Sequence, residues 1–164
     1  MQQKGYTVHR NCESEQDYND LTKTSRFAFS RGERELIYLG ATGLREDHTI
    51  GNISLMCYYS SGHAFNGEKP QMVRMISDYG TFTPIHKTTS FQSFARQQVS
   101  IFSMRYDTRY STEGLQYPIH NQSFNQWWET TLNAALGDDF KIIIPEETYA
   151  ELIVFQTHEP KDAQ

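Results

Sequence analysis

Aromatic side chains are the feature that most restricts how this chain can fold. Its 164 residues include 10 Tyr, 10 Phe and 2 Trp, which is 13% of the chain, although all hydrophobic types together reach only 37%. Disordered chains are poor in aromatic residues. Each ring also removes a large apolar surface from water when it is buried. Because the length suits one domain, we expect a folded domain with an aromatic core.

The charge balance argues against two classes of partner. The chain has 15 Lys and Arg against 20 Asp and Glu, a formal net charge of -5. Nucleic-acid binding requires a basic surface, and anionic membranes attract basic segments. No apolar run is long enough to span a bilayer, and the first residues do not resemble a signal peptide. We therefore expect a cytoplasmic protein without nucleic-acid or membrane partners.

Hydrophobic periodicity predicts three helices and, more weakly, a fourth. Residues 123–136 place apolar side chains at helical intervals after Ser123 and Gln126, which have the spacing of a capping box. The second helix is predicted over 70–79, and the third within 91–110. The centre of the third could equally be a strand, since a short run does not fix the period. The fourth is predicted between residues 14 and 23.

Strands and helices in mixed order predict an α+β fold. We expect a single domain over residues 1–157, with a mixed or antiparallel sheet and about three helices, and a polar tail over 158–164. The predicted strands cover residues 6–9, 36–39, 53–59, 140–144 and 149–155.

The usual signatures of catalytic sites are missing. No His residues are paired at metal-ligand spacing and no CxxC occurs, so no metal site is predicted. The run Gly40-Ala41-Thr42-Gly43 lacks the Lys and Ser/Thr of a P-loop, and a tight turn after a strand explains it. Cys12 and Cys57 are expected to be thiols, although one bridge stays open. Cys57 is expected to behave as a small buried hydrophobic residue.

One segment combines arginines with tyrosines. It holds Arg96, Arg105 and Arg109 together with Tyr106 and Tyr110. If it is helical, Arg105 and Arg109 share one side, and the two tyrosines share another. Guanidinium groups bind phosphate or carboxylate, and tyrosine rings stack on ligands. The segment is therefore a candidate anion site. The alternative is an amphipathic element with Tyr inward and Arg outward, or an arginine neutralised by a nearby acid.

Residues 80–151 resemble flavin-dependent thymidylate synthase in short stretches. Residues 80–86 are similar to that family's Gly-x-x-Ser/Thr-Pro-x-x-His motif, although one residue shorter. Arg109-Tyr110 matches the end of its signature, and residues 145–151 match Pro-x-x-Thr-Tyr-x-Glu. The Arg-His-Arg triplet of that signature is absent. The resemblance implies FAD as cofactor, Arg96 and Arg109 as phosphate contacts, and His86 as their neighbour. Without it, no cofactor is expected.

The doublet Trp127-Trp128 favours a different kind of function. Two adjacent tryptophans on a helix cannot point the same way, so we expect Trp128 in the core and Trp127 exposed as an interface residue. The alternative is a large core that covers both rings. Interfaces favour Tyr, Trp and Arg. The sequence therefore predicts a non-catalytic protein that self-associates or binds a protein partner, such as a virion component. The alternative is a small nucleotide- or flavin-binding enzyme that uses the arginine segment.

Overall fold

Helices alternate with strands in the first part of the chain, and strands dominate the rest. The computed structural model describes residues 18–160. Short 3-10 turns cover His63–Phe65 and Trp127–Thr130. The helices and strands of residues 18–160 are α1 (Asp20–Ser30), β1 (Glu35–Leu39), α2 (Glu46–Ser60), β2 (Met72–Ile76), β3 (Gly80–Ile85), β4 (Thr89–Gln92), β5 (Gln97–Ser103), β6 (Ser111–Glu113), β7 (Asn133–Ala134), β8 (Asp139–Ile143) and β9 (Leu152–Pro160).

Two sheets organise these strands. The six-stranded sheet has the order β1-β2-β3-β9-β5-β7, and the three-stranded sheet has the order β4-β8-β6. β1 and β2 are parallel, and the other paired strands are antiparallel. The predicted α+β domain with a mixed sheet is thereby confirmed. β1 forms one end of the larger sheet, where Ile37 and Leu39 are 50% and 72% exposed.

Strand β9 separates two hydrophobic clusters. Successive side chains of a strand point to opposite faces of the sheet. Ile153 accordingly packs with the cluster under α1 and α2. Leu152 and Val154 pack with the cluster that the smaller sheet covers, together with Ile101 and Phe140. The two clusters therefore share one central strand.

Aromatic residues fill the cluster under the helices. The Phe29 and Phe65 rings stack with centroids 4.1 Å apart. The Tyr59 hydroxyl lies 2.8 Å from that of Thr22 in α1. Cys57 is a free, buried thiol, 3.8 Å from the carbonyl of Leu152, and burial raises the pKa of its thiol. Rings and a thiol on α2 thus attach both helices to the sheet.

The three main predicted helices are wrong. Residues 70–79 contain strand β2, where Val73 and Met75 are buried and Arg74 is exposed, a pattern with a period of two. Residues 91–110 contain the end of β4 and all of β5, so the strand alternative for the centre of this segment is confirmed. Residues 123–136 contain a single 3-10 turn and the short strand β7. In each case pairing with distant strands, which a local pattern does not contain, decides the structure.

Some of the other predicted strands and helices are confirmed, and others are wrong. The predicted strand 53–59 is wrong, because it lies inside α2, where the apolar run packs on the sheet as one face of a helix. The strands at 36–39 and 140–144 match β1 and β8, and 149–155 overlaps β9. α1 overlaps the end of the weaker helix at 14–23.

Further predictions concern the two ends of the chain. Strand β9 continues through His158 to Pro160, so these residues belong to the sheet rather than to a tail. The predicted strand 6–9, Cys12 and residues 161–164 lie outside the described residues.

Gly80 allows β3 and β9 to approach closely. A Cβ atom at Gly80 would lie 2.3 Å from the carbonyl oxygen of Gln156 and 2.5 Å from the Phe155 ring. We expect Gly80→Ala to lower the free energy of unfolding by about 1–3 kcal/mol through overpacking. Gly137→Ala is the matched control, since its Cβ would meet no atom within 4 Å. Urea denaturation measures both, and equal stabilities would contradict this packing.

Buried tyrosines make stability depend on alkaline pH. Burial raises the pKa of Tyr59 and of Tyr110 to about 12. Above pH 10 the unfolded chain loses these protons while the folded chain keeps them, so stability present below pH 10 is lost between pH 10 and 12. The loss should approach about 2–3 kcal/mol for each tyrosine.

Urea denaturation at pH 9, 10, 11 and 12 measures this dependence. Tyr110→Phe should reduce the loss with pH, because it removes one titrating hydroxyl. Tyr79→Phe, which removes a hydroxyl from a ring that is 74% exposed, is the matched control for the substitution itself. A Tyr110→Phe variant that loses stability as steeply as the unmodified protein would contradict the assignment.

Candidate functional site

An aromatic cavity lies beside the end of β5. The rings of Tyr106, Phe124 and Trp127 line it, with polar groups from Gln126 and Thr130. Its volume is about 180 Å³. An apolar cavity of about 150 Å³ accommodates a benzene ring, so this cavity is large enough for one aromatic ring of a ligand.

The Trp127 ring is held in place from two sides. Its Nε1 donates a hydrogen bond of 3.0 Å to the carbonyl of Ser103. Its edge meets the Phe102 ring at a centroid distance of 6.1 Å. Trp127 is 44% exposed and Trp128 is 73% exposed, the reverse of the expected order. The half-buried, fixed ring therefore faces the cavity, and its neighbour faces solvent.

A capped turn positions this tryptophan. The Glu129 carboxylate accepts hydrogen bonds from the backbone N–H groups of Asn125 and Gln126, at 3.0 and 2.8 Å. These bonds close the 3-10 turn that begins at Trp127. Thr130, at the end of the turn, donates its hydroxyl hydrogen to the carbonyl of Ile101. The cavity wall is thus attached to strand β5 at both ends of the turn.

Arg105 lies near the cavity but is neutralised. Its Nη2 is 3.0 Å from Oδ2 of Asp107, and its guanidinium lies 5.2 Å from the centroid of the Tyr149 ring. The hydrogen bond to Asp107 raises the pKa of Arg105, and the same bond lowers the pKa of Asp107. The alternative in which an acid neutralises an arginine of this segment therefore holds for Arg105.

The other two arginines lie apart from it. Arg109 donates to the carbonyl of Asn121 at 2.8 Å. Arg96 occupies a left-handed backbone position, with φ at 68°, and lines a separate groove beside Tyr117 and Leu132. The sequence segment thus spreads its three arginines over different surfaces, and anion binding by them stays a prediction.

Tyr110 and His86 contact other parts of the protein. Tyr110 is fully buried, with its ring 5.8 Å from that of Phe124. The His86 Nδ1 lies 2.8 Å from the carbonyl of Ala150, and its Nε2 lies 2.7 Å from the Ser60 hydroxyl. A carbonyl only accepts, so Nδ1 carries the donated hydrogen. His86 therefore connects α2 to the loop before β9, and Tyr110 supports Phe124 from below the cavity.

A glycine-containing loop joins β1 to α2. Gly40, Gly43 and Leu44 all have left-handed backbone conformations, with φ of 66°, 85° and 62°. The Asn52 side chain donates to the carbonyl of Ala41 at 2.8 Å, and the Thr49 hydroxyl accepts from the N–H of Gly43 at 3.0 Å. The loop therefore has one fixed shape, stabilised by side chains from the helix that follows it.

This loop occupies a position suited to anions. It follows the carboxyl end of a parallel strand and leads into a helix, where unpaired backbone N–H groups and the helix dipole favour negative charge. Sequence reasoning missed it, because the apolar residues at 53–59 favour a strand. With no helix expected there, Gly40 and Gly43 indicated only a turn. The missed signal is Glu46 and Asp47, acidic residues typical of a first helical turn.

Comparison with known proteins identifies one family. The model of the thiamin pyrophosphokinase catalytic domain matches residues 1–65, which include the glycine-containing loop. The model of the thiamin pyrophosphokinase substrate-binding domain matches residues 80–155, which include the aromatic cavity. No curated protein matches the chain in sequence.

Solved structures with the same fold carry the same name. The thiamine pyrophosphokinase of Bacillus subtilis superposes with a TM-score of 0.69 at 19% identity, over 88% of this chain and 65% of that protein. The enzyme of Geobacillus thermodenitrificans gives 0.70 at 18%, over 90% and 65%. A thiamin pyrophosphokinase family protein of Enterococcus faecalis gives 0.71 at 15%, over 90% and 67%. The chain thus spans 65% of the first two relatives.

These findings correct the functions expected from sequence. The resemblance to flavin-dependent thymidylate synthase is wrong, because residues 80–151 lie within the match to a thiamin pyrophosphokinase domain. A non-catalytic assembly or virion protein is also wrong, because both matching models describe parts of an enzyme. The misleading motif at residues 80–86 is strand β3 and the residue after it.

The lengths of the helices bear on whether the chain spans a membrane. None of the helices between residues 18 and 160 has the length and apolar character needed to cross a bilayer.

In its helical part and in its strand-rich part alike, the chain is similar to the thiamin pyrophosphokinases, and it has their fold.

Proposed function

We propose that this chain belongs to the thiamin pyrophosphokinase family and takes part in transfer of a pyrophosphoryl group to thiamin. The aromatic cavity receives a ring of thiamin, and the loop between β1 and α2 receives phosphate groups of the donor. The observation that carries this proposal is the agreement between sequence and geometry. The substrate-binding match encloses the cavity, and the catalytic match encloses the loop.

The chemistry of the cavity suits thiamin. Thiamin contains a positively charged thiazolium ring and a neutral aminopyrimidine ring. Aromatic faces attract cations, Trp most strongly, and the cavity volume of about 180 Å³ admits one ring. The side-chain amides of Asn125 and Gln126 can both donate and accept hydrogen bonds at its rim. Ring stacking and amide contacts together would orient the substrate.

The loop suits the other reactant, a nucleoside triphosphate. In the transfer, the thiamin hydroxyl oxygen forms a bond to the β-phosphorus of the donor. The bond from that phosphorus to the oxygen bridging the α-phosphate breaks, and a nucleoside monophosphate leaves. Catalysis of such transfers consists mainly of positioning and charge stabilisation. At the start of α2 the N–H of His48 is donated to Oδ1 of Asp47, so the N–H groups of Glu46 and Asp47 are the donors offered to phosphate oxygens.

Metal ligands are not assigned to the described part of the chain. Between residues 18 and 160, no three His, Cys, Asp or Glu side chains are grouped so as to hold a metal ion. Two acidic residues, Glu46 and Asp47, follow the loop directly, and Asp47 is paired with Arg45. For the described residues, the proposal assigns only the binding and orientation of the two reactants.

Trp127 tests the substrate half of this proposal. We expect Trp127→Ala to weaken thiamin binding at least tenfold, measured by isothermal titration calorimetry, because the ring that faces the substrate is lost. Trp128→Ala is the matched control, since it removes an adjacent ring that is 73% exposed and does not line the cavity. Trp127→Phe, which keeps a ring, should bind thiamin with intermediate affinity.

Each variant is first compared with the unmodified protein by circular dichroism and thermal unfolding. If both alanine variants bind thiamin equally well, the cavity is not the thiamin site. If the unmodified protein does not bind thiamin, the substrate half of the proposal fails.

Gly43 tests the phosphate half. Gly43 and Gly67 have similar backbone conformations, with φ of 85° and 89°, and a Cβ atom would meet no neighbour at either position. Alanine at either position should therefore lower the free energy of unfolding by a similar amount, about 1–2 kcal/mol. We expect only Gly43→Ala to weaken ATP binding, by about fivefold or more, because the loop that contacts phosphate changes shape. ATP titration by calorimetry measures this, and equal ATP affinities would contradict the role of the loop.

Three expectations from sequence remain proposals. They are an intracellular location, the absence of a bound cofactor, and self-association through Trp127. The position of Trp127 on a cavity wall supports ligand contact at least as well as protein contact. Light scattering on the unmodified protein and on Trp127→Ala would separate self-association from a purely ligand-binding role.

A further inference from the structure

The large sheet leaves part of one face uncovered by helices. Met75 pairs with Phe82, which pairs with Phe155, and the Phe82 and Phe155 rings contact each other at 4.5 Å on the helix side. Their neighbours along the strands therefore point to the opposite face. On that face, between β2 and the edge of the smaller sheet, lies a groove of about 570 Å³.

Most of the residues that line this groove are polar, and none carries a negative charge. Arg74 comes from β2, Thr81 and Thr83 come from β3, and Ser90 comes from β4. None of the lining residues is Asp or Glu, although the chain as a whole has a net charge of -5. An acid-free groove with one guanidinium and several hydroxyl donors favours an anionic ligand.

Arg74 is available to such a ligand. It is exposed, and the ion pairs found within residues 18–160 involve Arg34, Arg45 and Arg105 but not Arg74. The opposite end of the groove contains His158, whose Nε2 lies 3.2 Å from the Thr81 hydroxyl. The positive charge of Arg74 is therefore not neutralised by a carboxylate of the described chain.

A hydrogen-bonded floor fixes the shape of the groove. The Gln97 side chain, which is 7% exposed, donates through Nε2 to the carbonyl of Thr157 at 2.6 Å. Its Oε1 accepts from Nε2 of Gln156 at 3.1 Å, and that same Nε2 donates to the carbonyl of Gln92 at 2.9 Å. These bonds connect β4, β5 and β9 beneath the groove, so its walls exist before any ligand arrives.

Two aromatic residues complete the lining. Phe91 is buried and stacks on Phe140 at 4.9 Å, and both Phe91 and Phe94 belong to the groove lining. A lining with both a guanidinium and aromatic rings suits a ligand with an anionic end and a flat apolar end.

We propose that this groove binds a small phosphate monoester, with its phosphate on Arg74 and the hydroxyls of Thr81 and Thr83, and its organic group against Phe91 and Phe94. The groove lies on the strand face away from α1 and α2, and its lining shares no residue with the aromatic cavity. The proposal does not depend on pyrophosphoryl transfer, since neither the cavity nor the loop between β1 and α2 contributes to it.

Nuclear magnetic resonance of the ¹⁵N-labelled full chain tests the proposal with phenyl phosphate as the probe. We expect the backbone amide signals of Thr81, Thr83, Ser90 and Thr157 to shift on titration. Arg74→Gln should weaken this binding at least tenfold. Arg31→Gln is the matched control, because Arg31 is exposed at the end of α1 and belongs to none of the ion pairs of residues 18–160.

Several outcomes would overturn this assignment. Absence of shifts at the groove amides excludes the site, and shifts confined to Gly40–Leu44 place the phosphate at the other loop. Equal affinity of the Arg74→Gln and Arg31→Gln variants removes the role of Arg74. If inorganic phosphate binds as tightly as phenyl phosphate, Phe91 and Phe94 do not bind the organic group of the ligand. Arg74→Met, which keeps an unbranched side chain but removes the charge and the hydrogen-bond donors, should behave like Arg74→Gln.

Discussion

Packing on both faces of strand β9 is the constraint on which the rest of the structure depends. Ile153 lies against the cluster under the helices, and its neighbours Leu152 and Val154 lie against the cluster under the smaller sheet. Both neighbouring strands, β3 and β5, pair with β9 over five or more residues. Because one strand serves two hydrophobic clusters, neither half can shift its register without exposing apolar side chains of the other.

This arrangement places the three proposed ligand sites around one sheet. The aromatic cavity is attached to β5 through Ser103 and Ile101, whose carbonyls hold Trp127 and Thr130. The glycine-containing loop begins where β1 ends, four strand positions away in the order of the sheet. The groove above β3 and β9 lies between them. A rigid sheet with irregular segments at its ends is a common way to hold binding residues at fixed separations.

The sequence contained enough information for some elements and not for others. β1 alternates between buried and exposed residues and β8 between buried and more exposed ones, and such a period of two correctly predicts a strand. α2 was missed because its apolar residues fall together in its second half, while its first half is polar and includes Gly51. Trp127 and Tyr106 were singled out separately, but their shared cavity depends on a bond between Trp127 and Ser103, 24 positions apart. No local pattern encodes such a pairing.

The buried thiol of Cys57 has a practical consequence for studying this protein. Thiolates rather than thiols react with alkylating and oxidising reagents, and burial against β9 disfavours the thiolate. Reagents therefore reach Cys57 only when α2 separates from the sheet. The rate at which this cysteine is labelled thus measures how often the helical layer opens spontaneously. The natural sequence supplies this probe without any engineered residue.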